Sequence, residues 1–446
     1  MRAEIITIGD ELLIGQVVDT NSAWMAERLN EAGITLHQIT SVHDDREHIL
    51  TAIDEALSRA DIVFTTGGLG PTKDDITKNV LCEYFHTSLV ENVQVREHIY
   101  ALYKERPEAI NRLTATQWLV PESATILTNR VGSAPIMVFE KYLGVQEFRS
   151  AEEFKSQKSK YLIALPGVPH EMKIAMTEQV LPYIGLKMQV DRIEKGDIIH
   201  RTILLSGVPE SKLAILIEDW EAALPASIHL AYLPKDGMIR LRLSSYGESS
   251  KEDIQAQIDT LLPLIGDKVL SVSDPSDFSD MSDLSVLAGQ LLKQRGVTIA
   301  TAESCTGGRL AAALNAQSGA SAYYMGSVVA YDNTVKTNVL GVSQETLNTF
   351  GAVSEYTVRE MAEGVRALMH TDFAIATSGI AGPLGGTEDK PVGTVWIAWA
   401  TADGTVAECF HFGAAREREQ ITMRAVTAAL VRLIRILNAG KYHVEA

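Results

Sequence analysis

The stretch Val297-Thr298-Ile299-Ala300-Thr301-Ala302-Glu303-Ser304-Cys305-Thr306-Gly307-Gly308-Arg309-Leu310-Ala311-Ala312-Ala313-Leu314-Asn315-Ala316 decides how the last part of the chain is built. The apolar run Val297–Ala300 suits a buried strand and Arg309–Ala316 suits a helix, so Thr301–Gly308 reads as the turn between them. A strand-to-helix turn points backbone N–H groups into one pocket, where an oxyanion or a phosphate can be held. This one also carries a hydroxyl, a thiol and two glycines, which marks it as a candidate active-site loop.

Working outward, residues 284–446 alternate further strands (Tyr324–Ala330, Asp372–Thr377, Thr394–Trp399, Val406–His411) with helices (Glu355–Leu368, Arg416–Leu437), giving an α/β unit. Residues 1–185 show the same rhythm. Strands are expected at Glu4–Ile8, Ile34–Ile39, Asp61–Thr66, Pro135–Phe139 and Tyr161–Leu165, forming a parallel, doubly wound sheet. The polar tract Gly144 to Lys160 reads as a surface loop or hairpin. Between the two units, residues 190–272 follow a βαββα(β) order that suggests a small α+β sandwich. The serine- and aspartate-rich 273–283 reads as a linker to the last unit.

The chain has 446 residues, enough for about two to four domains. It lacks a signal-peptide pattern and any apolar run approaching the ~18 residues of a membrane span, so a soluble, cytoplasmic protein with no membrane partner is expected. Its three cysteines, Cys82, Cys305 and Cys409, are too few and too scattered for a disulfide framework or a cysteine zinc site. With net charge −17 and no lysine/arginine cluster, direct nucleic-acid binding is not expected.

Three more segments of the last unit carry polar groups at strand edges: Tyr331-Asp332-Asn333-Thr334-Val335-Lys336, Ser378-Gly379-Ile380-Ala381-Gly382-Pro383, and Arg416 to Arg424. Ser304 needs a base to act as a nucleophile. His370 and His411 sit in no catalytic motif, which leaves a serine–lysine pair with Lys336. A lysine, ordinarily near pKa 10.4, serves as a base at neutral pH only if burial or a nearby cation lowers it. Blander readings stand beside these. Ser304 or Thr306 can simply cap the following helix, Lys336 can be a solvated lysine, Cys305 a buried filler, and Gly382–Gly386 a turn-rich loop.

In the front unit, Gly9-Asp10-Glu11-Leu12-Leu13, Asp19-Thr20-Asn21 and Thr66-Gly67-Gly68-Leu69-Gly70-Pro71-Thr72-Lys73-Asp74-Asp75 fall at the carboxyl ends of strands, where open α/β sheets bind ligands. Gly67, Gly68, Gly70 and Thr72 can cradle a phosphate. Asp10, Glu11, Asp19, Asp74 and Asp75 offer oxygen ligands to a hard divalent ion, as pyrophosphate cleavage usually demands. The alternative is again structural: Thr72 with Asp75 resembles a capping box, and Asp44 and Asp45 are placed to cap the helix near Glu47. Pro166-Gly167-Val168-Pro169-His170-Glu171-Met172 is a strand-to-helix turn that can bring His170 to a ligand.

Residues 284–446 resemble the CinA C-terminal family, amidohydrolases that convert nicotinamide mononucleotide to nicotinate mononucleotide and ammonia. Five ordered motifs carry the resemblance: Ala302–Gly308, Tyr331…Lys336, Gly351-Ala352-Val353-Ser354, Ser378–Pro383 and Lys390-Pro391-Val392-Gly393-Thr394-Val395. The resemblance implies Ser304 as nucleophile, Lys336 as general base and Tyr331 as an orienting hydroxyl. It places Cys305, Thr306, Gly307, Gly308, Ser378, Gly379 and Gly382 at the substrate, with amides of Thr306 to Gly308 holding the oxyanion and no metal required. The family's phosphate-binding arginine follows Gly-Asp. Here Gly413-Ala414-Ala415-Arg416-Glu417-Arg418 lacks the aspartate, so Arg416 is the first choice and Arg418 the second.

Residues 1–185 resemble the molybdopterin-binding, MoaB/MogA-like domain found at the front of CinA proteins, through Gly-Asp-Glu-Leu-Leu, Gly-Gly-Leu-Gly-Pro-Thr-x-Asp-Asp and Pro-Gly-Val-Pro-x-Glu-Met. That resemblance implies ADP-ribose pyrophosphatase activity dependent on Mg, Mn or Co, giving AMP and ribose 5-phosphate. The whole chain is thus identified as a member of the CinA family, expected to be a homodimer acting on small nucleotides. Pterin binding, or a non-catalytic role as a competence or recombination partner, are the alternatives the family leaves open.

Overall fold

Alternating apolar residues build the front sheet. In β1 (Arg2–Ile8), Ala3 and Ile5 join Met25, Leu29 and Met172 on one face, while Ile6 and Ile8 join Ile49, Ile53, Val80 and Leu81 on the other. A strand that is apolar on both sides must be covered by helices on both sides. A computed structural model describes residues 1–142, 159–188, 198–235, 237–246, 249–273 and 282–439, and it divides the chain into the units Met1–Ile198 and Ile199–Ala446. Among the described residues no helix is long and apolar enough to cross a membrane.

The front sheet runs β2 (Thr35–Val42), β1, β3 (Ile62–Thr66), β8 (Ser159–Leu165), β7 (Ile136–Tyr142), β6 (Thr125–Leu127). β4 (Leu89–Glu91) and β5 (Leu119–Pro121) pair separately. The sheet is not parallel throughout, as the sequence rhythm suggested. β2, β1, β3 and β8 are parallel, but β7 pairs antiparallel with β8, and β6 with β7. The reason is that apolar alternation fixes which face a strand buries and not the direction in which it runs, and a doubly wound sheet can carry an antiparallel edge. Most of the polar tract read as a loop or hairpin, residues 143–158, lies outside the described residues.

The second unit holds two sheets. The middle one follows the order β10 (His229–Lys235), β11 (Met238–Tyr246), β9 (Ile198–Ser206), β12 (Val269–Ser273), with Ile203, Leu205, Leu241 and Leu243 buried against the helix Lys251–Ile265. From its other face, Leu204, Met238 and Leu270 enter the core built around the helices 282–295 and Arg418–Asn438. Arg435 adds a hydrogen bond to Ser206 Oγ at 3.0 Å. The expected linker lies mostly outside the described residues.

The last sheet runs β14 (Tyr324–Val329), β13 (Ile299–Glu303), β15 (Phe373–Gly379), β16 (Thr394–Ala400), β17 (Thr405–His411). β13 is parallel to both neighbours, and β16 is antiparallel to both β15 and β17. Its two faces differ in size. Ile299, Ile375, Val395, Ile397 and Trp399 pack towards the last helix, whereas Ala300, Ala302, Ala374, Ala376, Ala398 and Ala400 pack towards the helix Glu355–Met369. The small side chains admit that helix closely, and it in turn supports the helix Asn333–Leu340, which carries Lys336. Gly364 makes that second approach possible, because a Cβ there would lie 1.9 Å from the Leu340 carbonyl oxygen. Gly364→Ala is therefore expected to cost about 1–3 kcal/mol, read as a lower urea midpoint. An unchanged midpoint would show that the two helices are not in such close contact.

Candidate active site

β13 extends to Glu303, three residues beyond the expected strand end, and this extension organises the Ser304 turn. Glu303 has no exposed surface. Its carboxylate accepts hydrogen bonds from the N–H groups of Gly308 at 2.9 Å, Leu310 at 3.1 Å and Ala311 at 2.7 Å, capping the helix Arg309–Asn315 from within the sheet. The capping expected of Ser304 or Thr306 is thus done by another residue. Gly307 and Gly308 adopt φ of 59° and 91°, the left-handed backbone that makes glycine the favoured residue. Ser304 N–H donates to the Thr377 carbonyl at 2.9 Å, and the Thr306 and Thr377 hydroxyls meet at 2.6 Å. Ser304 Oγ has no hydrogen-bond partner among the described residues, so it stands available at the mouth of the turn.

The amides expected to hold an oxyanion need revision. Gly308 N–H is bound by Glu303, and Gly307 N–H donates to the Ser304 carbonyl at 3.2 Å. The turn amides with no backbone partner among the described residues are those of Cys305 and Thr306. Burial pushes the Cys305 thiol up to about 12, so it is a protonated, inert thiol beside the serine.

Lys336 is buried, with 1% of its surface exposed. Asp332 caps its helix through Thr334 N–H at 2.8 Å, and one turn later Lys336 Nζ reaches back to the carbonyls of Ala330 at 2.7 Å and Tyr331 at 3.0 Å. Ala330 N–H in turn donates to the Glu303 carbonyl at 2.7 Å, so the lysine is tied to the end of the nucleophile strand. Burial lowers its pKa from the ordinary lysine value, against the charges of Asp332 and Cys305, which raise it. No hydrogen bond joins Lys336 Nζ to Ser304 Oγ among the described residues. Tyr331 contributes its carbonyl, while its ring is 68% exposed.

The remaining elements enclose the turn. Ser378 Oγ donates to the Ala352 carbonyl at 2.6 Å, joining two of the motifs. Gly379 packs where a Cβ would meet Val395 at 2.7 Å. Arg418, the first residue of the last helix, donates to the Gly382 carbonyl at 2.8 Å, and its charge is felt at Cys305. Arg416 is exposed and donates instead to the Phe412 carbonyl at 2.6 Å.

The front unit gathers its loops at the carboxyl ends of β1, β3 and β8. A Cβ on Gly67 would lie 2.0 Å from the Ile8 carbonyl oxygen, and one on Gly167 would lie 3.2 Å from the Gly67 Cα. The acidic residues are mostly committed. Asp19 caps the helix Thr20–Glu31 through Ser22 N–H at 3.0 Å, and Asp75 accepts from the N–H groups of Gly70 and Thr72 and from the Thr72 hydroxyl. A hydrogen bond from the Thr72 side chain lowers the pKa of Asp74. Asp10 meets His43 Nδ1 at 2.8 Å, and Glu11 lies close over Gly9. Asp45 caps the helix Arg46–Arg59 as expected, but Asp44 does not. It accepts from Asp10 N–H, and its pKa is raised by burial with the charges of Asp10, Glu11 and Asp75 adding.

Sequence reasoning also passed over Asn21. Its Nδ2 donates to the Gly167 carbonyl at 2.8 Å and to Thr66 Oγ1 at 3.3 Å. His170 is exposed. Among the described residues no three His, Cys, Asp or Glu side chains are grouped to hold a metal ion.

A family profile described as the CinA C-terminal domain matches residues 281–437, and one described as a probable molybdopterin binding domain matches residues 4–185. A CinA-like protein of Flavobacterium psychrophilum is 42% identical over 96% of this chain and 97% of its own. The chain belongs to the CinA family. A CinA-like protein of Cytophaga hutchinsonii is 45% identical, with 97% of both chains covered. The solved competence damage-inducible protein A of Klebsiella pneumoniae subsp. pneumoniae is 42% identical and covers 37% of this chain and 100% of its own, with a TM-score of 0.35.

Because the folded-state pKa of Lys336 lies below the unfolded value of about 10.5, both states hold the proton at low pH and the burial cost is constant there. As pH rises through the folded pKa the unfolded chain binds more protons, and wild type gains stability until about 10.5. Lys336→Met lacks this titration. The stability difference, wild type minus variant, is expected to grow with pH in urea denaturation across that window. A flat difference would mean the lysine is not buried as a perturbed base.

Proposed function

We propose that the last unit hydrolyses the carboxamide of nicotinamide mononucleotide to nicotinate mononucleotide and ammonia. The observation that carries this reading is the pairing, through Glu303 and Ala330, of an unengaged serine hydroxyl with a buried lysine held below its ordinary pKa. Neutral Lys336 takes the proton of Ser304 as Oγ attacks the amide carbon. The Cys305 and Thr306 amides receive the oxyanion, typically about 3–4 kcal/mol of transition-state stabilisation per donor. Collapse returns the proton to the leaving nitrogen and expels ammonia. Water, deprotonated by the same lysine, then cleaves the nicotinoyl ester and restores Ser304. Apo geometry without a direct Ser304–Lys336 bond is compatible with this, because such contacts often tighten only when substrate binds.

For the substrate phosphate we assign Arg418 rather than Arg416. Arg418 stands beside the Gly382 loop and Cys305, whereas Arg416 is tied to Phe412 in solvent.

For the front unit we propose cleavage of ADP-ribose to AMP and ribose 5-phosphate, supported by the glycine-rich loop at the strand ends. The match to a probable molybdopterin binding domain favours a second reading, in which the same crevice holds a phosphorylated pterin. Identifying the ligand retained by the full-length protein separates them, and added Mg, Mn or Co tests the expected metal dependence.

Purified protein is expected to release ammonia from nicotinamide mononucleotide in the presence of chelator, and Ser304→Ala to abolish this while keeping its circular dichroism spectrum. Turnover by Ser304→Ala would remove the serine mechanism. Arg418→Ala is expected to raise KM about tenfold to a hundredfold, the worth of a charged hydrogen bond, with Arg416→Ala near wild type. The opposite ranking would return the phosphate to Arg416.

A further inference from the structure

Glu303 is neither nucleophile nor base, yet both are held by it. Its main-chain carbonyl accepts from Ala330 N–H, and the carbonyl of Ala330 accepts from Lys336 Nζ, each at 2.7 Å. Its side chain accepts three amides of the helix that follows Ser304. Oε1 takes Ala311, and Oε2 takes Gly308 and Leu310. A carboxylate with no exposed surface is tolerated only when donors answer its charge, and here the first turn of a helix does so. That use of the helix has a chemical result. Amides that could have gathered around an anion are spent inside the fold, and the turn is pinned at its far end by Ser304 N–H on the Thr377 carbonyl.

We propose that Glu303 is the positioning residue of the amidase site: its carboxylate fixes the turn so that the Cys305 and Thr306 N–H groups, not the helix terminus, receive the oxyanion. The inference rests on the Ser304 reading. Both carboxylate oxygens are occupied, so Glu303→Gln sets an NH2 group against an amide N–H in either side-chain orientation. Glu303→Asp keeps the charge and stops about 1.5 Å short of the amides.

The test uses full-length wild type, E303Q and E303D, with circular dichroism to establish folding. Each is assayed for kcat and KM with nicotinamide mononucleotide. Binding is measured to the product acid and to an aldehyde analogue bearing formyl in place of the carboxamide. Ser304 adds to that formyl carbon, giving a hemiacetal whose oxygen occupies the oxyanion position. The expected result is a fall of about 10²-fold in kcat, matched by a similar loss of aldehyde affinity, with KM and product affinity near wild type. A folded variant with wild-type kcat overturns the proposal, as does loss of product affinity in step with kcat, which would indicate general disorder.

Hydrogen exchange on the wild type provides a reading that needs no variant. Strong protection of Gly308, Leu310 and Ala311 with fast exchange at Cys305 and Thr306 is expected, and the reverse pattern also overturns the proposal. Absence of ammonia release by wild type would sink the serine reading instead, with the exchange pattern still deciding what Glu303 does.

Discussion

A buried carboxylate has to be surrounded by donors, and the last unit is arranged around that requirement at Glu303. The donors come from the helix immediately downstream, so the chain must turn sharply, and two left-handed glycines supply the turn. The sharp turn leaves Ser304 at the strand end with its hydroxyl unengaged. The neighbouring strand, bonded to Glu303 through Ala330, sets the start of the segment that brings Lys336 inward. Ser304 and Lys336, the proposed nucleophile and base, are therefore linked through Ala330 by one main-chain hydrogen bond and one donated by the lysine side chain, at the lip of one sheet. This is a stiffer arrangement than two residues on independent loops would give.

The front unit solves a different problem with similar parts. Its loops approach one another at backbone distance, which glycine permits, and its carboxylates hold the loops in shape through amides and hydroxyls. Asp75 spends both oxygens on that task, while Asp19 gives one to the helix it caps. Asp44, half-buried among other acids, has its pKa raised by burial, with the charges of Asp10, Glu11 and Asp75 adding.

Much of this was legible in the sequence because alternation and turn chemistry are local. Five strands of the front sheet, the βαββα(β) middle and the nucleophile turn were all read within a few residues of their positions. Three features were not readable, each for a physical reason. A glutamate after an apolar run looks like the point where a strand meets solvent, and only the folded helix shows the donors that let Glu303 stay inside. Strand direction at β7 and β8 is a matter of pairing across the sheet, which alternation does not encode. Arg416 was favoured by counting from a Gly-Asp pair that this chain lacks, whereas the helix starts at Arg418 and carries that residue to the Gly382 loop.

The packing of the middle sheet on the last unit bears on how such chains can be divided. Leu204, Met238 and Leu270 cover part of the surface of the helices that flank the last sheet, and Asn438 Nδ2 donates to the Leu270 carbonyl at 3.3 Å. Severing the chain ahead of residue 282 would strip that cover and leave apolar helix surface in water. A freestanding form of the last unit therefore has to re-clothe the helix Arg418–Asn438 with polar side chains or with another subunit. In the intact protein, a change of size on that buried stripe has to be met by the middle sheet packed against it.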